Sequence, residues 1–361
     1  MPKYTLSLLL TLIAVASLPS HALTPPPPPP CVPASADITV EALGEKVAKN
    51  SGHASDCAVA DLVARGAAAV PVATKLLGNH DAHVQAMALK AIEGLGPLAG
   101  ATVPYIIKQI RKPDSGQAGR EDERYSTLGH LGKAAAPAIP LLLAQSNKHG
   151  ENSNAIDALG MLGRYSPDTV VPQLVRLLRR KGDTNNALSA LHEMGRPARK
   201  ALPALMAYLN RAIRLNNEDD IALALEVVVA VDTPANGVAL LVDFLGRPKL
   251  AHHAATNLGQ IGPPAVAAVP ALISTLNSSR ADKALVSEIV RALWYMAPVS
   301  LAAQKQLLID ATDHDNEEAA IGLIQIKPLP ADFAPKLQAA LKRRPGNEIL
   351  RRLLAQTQPK K

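Results

Sequence analysis

The chain has 361 residues, a formal charge of +7, 48% hydrophobic and 2% aromatic residues, and 30 prolines. So few aromatics exclude a core built on large rings, leaving Ala, Leu, Val and Ile, which are small enough to let helix axes approach closely. So many prolines exclude long unbroken helices unless they stand in first turns, where the missing amide hydrogen has no intrahelical partner.

Residues 1–22 read as a secretory signal peptide: Lys3 is the positive start, residues 5 to 17 are the apolar stretch, and Ser20-His21-Ala22 marks a cleavage site. The alternative, an uncleaved anchor, needs ~20 apolar residues, and Pro19 interrupts this run. No later segment reads as a membrane span, so the expected location is periplasmic or secreted. Residues 23–36 form a Pro-rich arm in which Pro25 to Pro30 is a stiff polyproline spacer. Cys31 follows proline rather than a lipoprotein box, so lipidation is not expected there. The two cysteines, Cys31 and Cys57, suit a disulfide in an oxidising compartment, worth ~3 kcal/mol by loop closure; two free buried thiols are the other reading.

Residues 37–345 repeat one pattern at roughly 30 to 37 residues, an Ala-rich helix, a glycine, then an apolar helix opening with proline. The glycines Gly96, Gly132, Gly163, Gly195 and Gly262 precede Pro104, Pro140, Pro172, Pro203 and Pro270 by eight residues, or nine in the third copy. Glycine can take a left-handed helix end, and proline is preset for the next first turn. Weaker copies surround Asp232, Ala297 and Lys327, where the glycine is replaced, and Gly66, where proline follows too early. Counting these gives about nine units, with residues 346–361 left as a capping helix and basic tail.

The segment AATNLGQIGPPAVAAVPALISTL at 254 to 276 resembles the HEAT-repeat family, in particular its short lyase-like bacterial variant. The resemblance implies an all-α, right-handed α-solenoid of about nine HEAT-like hairpins, with proline-led helices outside and Ala-rich helices lining a concave groove. A single pair cannot bury its apolar stripe alone, which agrees with stacking.

Helical periodicity places Ala86, Lys90 and Glu93 on the groove side, and aligning by the glycines carries this face along the chain. It reaches Asp157, His192, Glu226, His252, Ser287, Arg291 and Trp294, with Gly129, Gly160 and Gly259 expected to lower the groove floor. Arg291 and Trp294 form the pair that binding hot spots favour; the competing reading packs Trp294 between repeats. Residues 120 to 124, Arg-Glu-Asp-Glu-Arg, read either as a solvated, loosened first turn or as a charged patch on the groove rim. The clusters Arg179-Arg180-Lys181, Arg343-Arg344 and Arg351-Arg352 read as helix ends, where cations favour the macrodipole.

No phosphate loop, nucleophile elbow, Cys-His pair or zinc spacing stands in the sequence. His252-His253 is similar to a position in metal-binding HEAT-like hydroxylases, but the accompanying glutamate is missing, and three or four converging ligands are needed. The expectation is a non-enzymatic scaffold without cofactor or metal that binds a protein or peptide through His192, Glu226, His252, Arg291 and Trp294. Lyase-like or metal-dependent groove chemistry is the alternative. Export argues against a nucleic-acid partner.

Overall fold

A computed structural model describes residues 30–111, 121–148 and 153–358. The expected signal peptide, residues 23–29 of the arm, Arg120 and the last three residues lie outside them. The described residues form twenty α-helices and no strand.

The odd-numbered helices are α1 (Val40–Lys49), α3 (Val70–Leu77), α5 (Val103–Arg111), α7 (Ile139–Ser146), α9 (Pro167–Leu177), α11 (Leu202–Leu215), α13 (Pro234–Leu245), α15 (Val269–Ser278), α17 (Leu301–Asp313) and α19 (Ala334–Arg343). Between them run α2 (His53–Ala64), α4 (Ala82–Leu95), α6 (Glu121–His130), α8 (Ser153–Gly163), α10 (Thr184–Met194), α12 (Glu218–Val231), α14 (Ala251–Ile261), α16 (Lys283–Met296), α18 (Glu317–Ile324) and α20 (Glu348–Gln356). This is an all-α solenoid of HEAT-like helical pairs. It has ten pairs among the described residues where about nine were expected. Within the expected capping segment, α20 packs on α18 and α19 as the last member of the even layer. Neither end pair carries the glycine–proline signature.

The joints are more structured than a turn. After Gly96, Gly132, Gly195 and Gly262 the chain makes a 3₁₀ segment before the next α-helix begins. With three residues per turn, positions three apart eclipse. Ala99, Ala135, Ala198 and Ala265 therefore point into the core together with Thr102, Ala138, Ala201 and Ala268, and all eight are fully buried. Gly96, Gly195 and Gly262 combine φ of 55 to 66° with ψ of −134 to −138°, a region closed to side chains. Gly163 departs from the expectation: it stays inside α8, and a Cβ there would stand 2.6 Å from Met194 Sδ. Its role is to make room for the next repeat.

Even helices lie against their even neighbours along more of their length than odd helices do against theirs, most extensively α6, α8 and α10, and α14 with α16. In a curved stack the more closely apposed layer is the inner one. Recesses in the surface agree: two of them each touch three successive even helices, whereas the α9–α11 and α1–α3 recesses each touch only two odd ones.

Cationic clusters at the ends of odd helices join neighbouring repeats. Arg180 donates through Nη2 to Ser146 O (2.6 Å) and through Nη1 to Asn147 O (3.0 Å) and pairs with Asp183, so it covers the open carbonyls at the end of α7. Arg344 does the same at the end of α17, donating to Thr312 O (2.7 Å) and Ala311 O (3.2 Å). Charge-assisted bonds of this kind contribute ~1–3 kcal/mol, so Arg180→Ala is expected to lower the urea midpoint by a corresponding amount. An unchanged midpoint would show that water replaces the guanidinium without loss.

Candidate functional site

The inner face carries two open recesses. One, of about 440 Å³, is lined by Ala86, Lys90 and Glu93 of α4, Glu123 and Ser126 of α6, and Asn154 of α8, among others. The second, of about 390 Å³, is lined by Asp157 and Met161 of α8, Ser189, His192 and Glu193 of α10, and Leu223 and Glu226 of α12, among others. All three groove positions assigned to α4 line the first, and Asp157, His192 and Glu226 line the second. Asp157 is open to the groove, yet its partial burial raises the carboxyl above the usual aspartate range. No hydrogen-bond or ion-pair partner faces it among the described residues.

Charge is segregated between the layers. Even helices contain more than two acidic residues for each basic one, whereas odd helices contain two basic residues for each acid. A chain with a net charge of +7 thus concentrates acidic residues on its inner layer of helices.

Many of these carboxylates tie one inner helix to the next. Lys90 Nζ meets Asp56 Oδ1 at 2.7 Å, His192 Nε2 meets Glu226 Oε1 at 3.5 Å, and His253 Nε2 meets Glu218 Oε2 at 2.8 Å. His252 lies between two acids, Nδ1 at 2.9 Å from Glu288 Oε2 and Nε2 at 3.0 Å from Asp282 Oδ2. Burial lowers the His252 pKa, but the Asp282 hydrogen bond and the charges of Glu288 and Asp282 outweigh it, so the imidazole is held above its ordinary value. A raised histidine contributes stability that is fully present below the unfolded value of ~6.5 and is lost as pH rises through the folded one. His252→Gln should therefore cost more at pH 5.5 than at pH 9, by ~0.5 kcal/mol for so open a site. Urea titrations at the two pH values check this, and an equal cost at both would contradict it.

At the C-terminal end, Arg291 Nε donates to Glu318 Oε1 at 3.1 Å, and the Ser287 hydroxyl donates to the other Glu318 oxygen. Trp294 is half-buried against the distal core and lies over Gly322, where an added Cβ would come within 2.8 Å of the indole Cγ. Tyr295 stacks on it with ring centroids 5.9 Å apart and is 49% exposed. Trp294 therefore serves the packing between α16 and α18, and the exposed aromatic is its neighbour.

Two expectations are corrected. Gly129, Gly160 and Gly259 do not lower the groove floor: they are buried where adjacent inner helices touch, and a Cβ on Gly160 would lie 2.8 Å from Ala190 Cα. The first turn of α6 is not a loose solvated one at Arg124, which is 3% exposed and donates to Gln109 Oε1 and Gln85 Oε1. Glu123, by contrast, faces the groove.

Among the described residues the one close set of three metal-ligating side chains is Cys31, His53 and Cys57, whose two sulfurs are bonded to each other. Also among them, no helix is long and apolar enough to cross a membrane. The acid partners Glu218, Asp282, Glu288 and Glu318 were not singled out from sequence. Their signal is a charge pair separated by about one repeat, between 27 and 36 residues here.

No protein-family model matches the chain, and no curated protein matches it. Among solved structures it is similar to the CpcE–CpcF complex of phycocyanin lyase from Nostoc, at 21% identity and a TM-score of 0.37, covering 65% of this chain and 91% of that one. Kap121p matches at 13% identity and a TM-score of 0.46, covering 88% of this chain and 41% of that one. Kap95p, in a complex with RanGDP, matches at 13% and 0.42, covering 90% and 47%. The chain spans less than half the length of either karyopherin, and the likeness is one of fold.

Proposed function

We propose that this chain is an exported, non-catalytic helical-repeat scaffold whose inner face binds a basic segment of a protein or peptide. The observation that carries the reading is the segregation of charge between layers, which puts Asp157, Glu123 and Glu226 in recesses open to a partner. Complementary potentials steer encounter and select partners, and a carboxylate held partly out of water with no cation beside it gains most from receiving one. The same field disfavours phosphodiester backbones, which supports a protein rather than a nucleic-acid ligand. Export rests on the character of residues 1–22 and on a cysteine pair suited to an oxidising compartment.

The test uses a fluorescent 15-residue peptide of alternating Lys and Ala carrying a photocrosslinker, with a Glu/Ala peptide as control. Binding that weakens with salt, crosslinks confined to the even helices and no response to the control are expected. Crosslinks concentrated on odd helices, or equal binding of both peptides, would overturn the reading. Export is checked by the N-terminus of protein recovered after expression of the full chain: Leu23 is expected, and an intact Met1 start in every cell fraction would refute it.

A further inference from the structure

Cys57 stands on α2 one turn after His53, and the imidazole nitrogens lie 3.4 Å (Nε2) and 4.0 Å (Nδ1) from its sulfur. Its bonded partner Cys31 is exposed on the arm, next to Val32, which is 86% exposed. The two sulfurs therefore meet different surroundings: one faces water, and the other is half-buried beside a group that can give or take a proton. The arm is also held independently of the bridge. Ala34 N donates to Asp61 Oδ1 at 3.0 Å, and Arg65 donates to Ser35 O at 2.8 Å and to Ala36 O at 3.2 Å.

From this asymmetry we propose that the Cys31–Cys57 bridge is a thiol-exchange site, at which an external monothiol is captured on Cys31 while His53 protonates the departing Cys57 sulfur. The incoming thiol loses its proton to solvent, and its sulfur attacks Cys31 Sγ, the accessible one. A new S–S bond forms to Cys31 as the Cys31–Cys57 bond breaks, and its electron pair leaves on Cys57 Sγ. His53 delivers a proton to that sulfur and regains one from solvent. One disulfide and one thiol are consumed, and one mixed disulfide and one thiol are produced, so no external oxidant or reductant is needed. The reverse path has Cys57 return its proton to His53 and attack Cys31 again, restoring the bridge. Exchange depends on which sulfur is accessible and on how readily the other departs, and proton delivery to a leaving group is general-acid catalysis. The bonds from Ala34 and Arg65 keep Cys31 near α2 meanwhile, so the capture is reversible.

The test treats the disulfide-bonded chain with glutathione, quenches with N-ethylmaleimide and maps both cysteines by mass spectrometry. A cysteine-containing decapeptide forms a second arm that distinguishes small thiols from protein thiols. Glutathione on Cys31 and maleimide on Cys57, in about tenfold excess over the opposite pattern, is expected. His53→Gln should slow appearance of the Cys57 thiol about tenfold at pH 6.5 and little at pH 9, where a thiolate leaves unaided. Adducts divided evenly between the cysteines, none at about 10 mM glutathione, or equal rates for His53→Gln and the parent at pH 6.5 would overturn the proposal. The regiochemistry is read on the unmodified chain, so it stands even if the variant folds poorly.

Discussion

Gly160→Ala is expected to destabilise the solenoid by ~1–2 kcal/mol, although alanine is the better helix former by ~1 kcal/mol. An added Cβ would meet Ala190 Cα at 2.8 Å and Ala190 Cβ and O at 3.1 Å. Two of these are backbone atoms of α10 and cannot swing aside. Relief requires moving a helix that is packed along its length, and overpacking of this kind costs ~1–3 kcal/mol. The control is Gly346→Ala, where nothing lies within 4 Å and φ is not positive, so a change between zero and a gain of ~1 kcal/mol is expected. Because repeat stability is a sum of local and nearest-neighbour contributions, the Gly160 variant should also broaden the urea transition. A variant as stable as the parent would show that glycine backbones do not set the spacing of the inner layer.

Asp157→Lys with Glu226→Lys is expected to weaken binding of the Lys/Ala peptide by at least about tenfold at low salt, with the difference shrinking as salt rises. The companion Asp157→Asn separates binding from folding. Burial raises the Asp157 carboxyl, so its stabilising contribution belongs to the protonated form, complete below the unfolded value and lost as pH rises through the folded one. At neutral pH the charge opposes folding slightly, so Asp157→Asn should be at least as stable as the parent while binding the peptide less well. Fluorescence anisotropy and thermal unfolding on the same preparation check both parts. Undiminished affinity in the double variant would remove the groove from consideration.

The joints were legible because glycine and proline act through covalent geometry that needs no knowledge of neighbours. Gly96, Gly195 and Gly262 adopt positive φ, whereas Gly163 serves a packing contact that only the adjoining repeat defines. The 3₁₀ segments were hidden because their signal, Gly-x-x-Ala-x-x-Ala with Thr102 in the last place of the Gly96 copy, resembles the Ala-rich composition around it. The face bearing Lys90, Asp157 and His192 followed from helical periodicity. Glu226, the partner of His192, followed with it, but Glu218, Glu288 and Glu318 did not, because they sit on a neighbouring inner helix at a register that shifts from repeat to repeat. Trp294 looked like an anchor by residue type, and its half-burial depends on Gly322, a contact set by how α18 docks.

The contrast between tightly apposed even helices and more loosely apposed odd ones has a mechanical consequence. Compression of the inner layer meets backbone on backbone at glycines such as Gly160, whereas separation of the odd helices stretches mainly side-chain links such as those of Arg180 and Arg344. The molecule should therefore behave as a coil spring with a stiff inner edge, bending by opening and closing its outer edge. Changes in end-to-end distance would then leave the spacing of neighbouring inner carboxylates nearly constant, keeping the pattern of charge a partner meets while the curvature adjusts to its length.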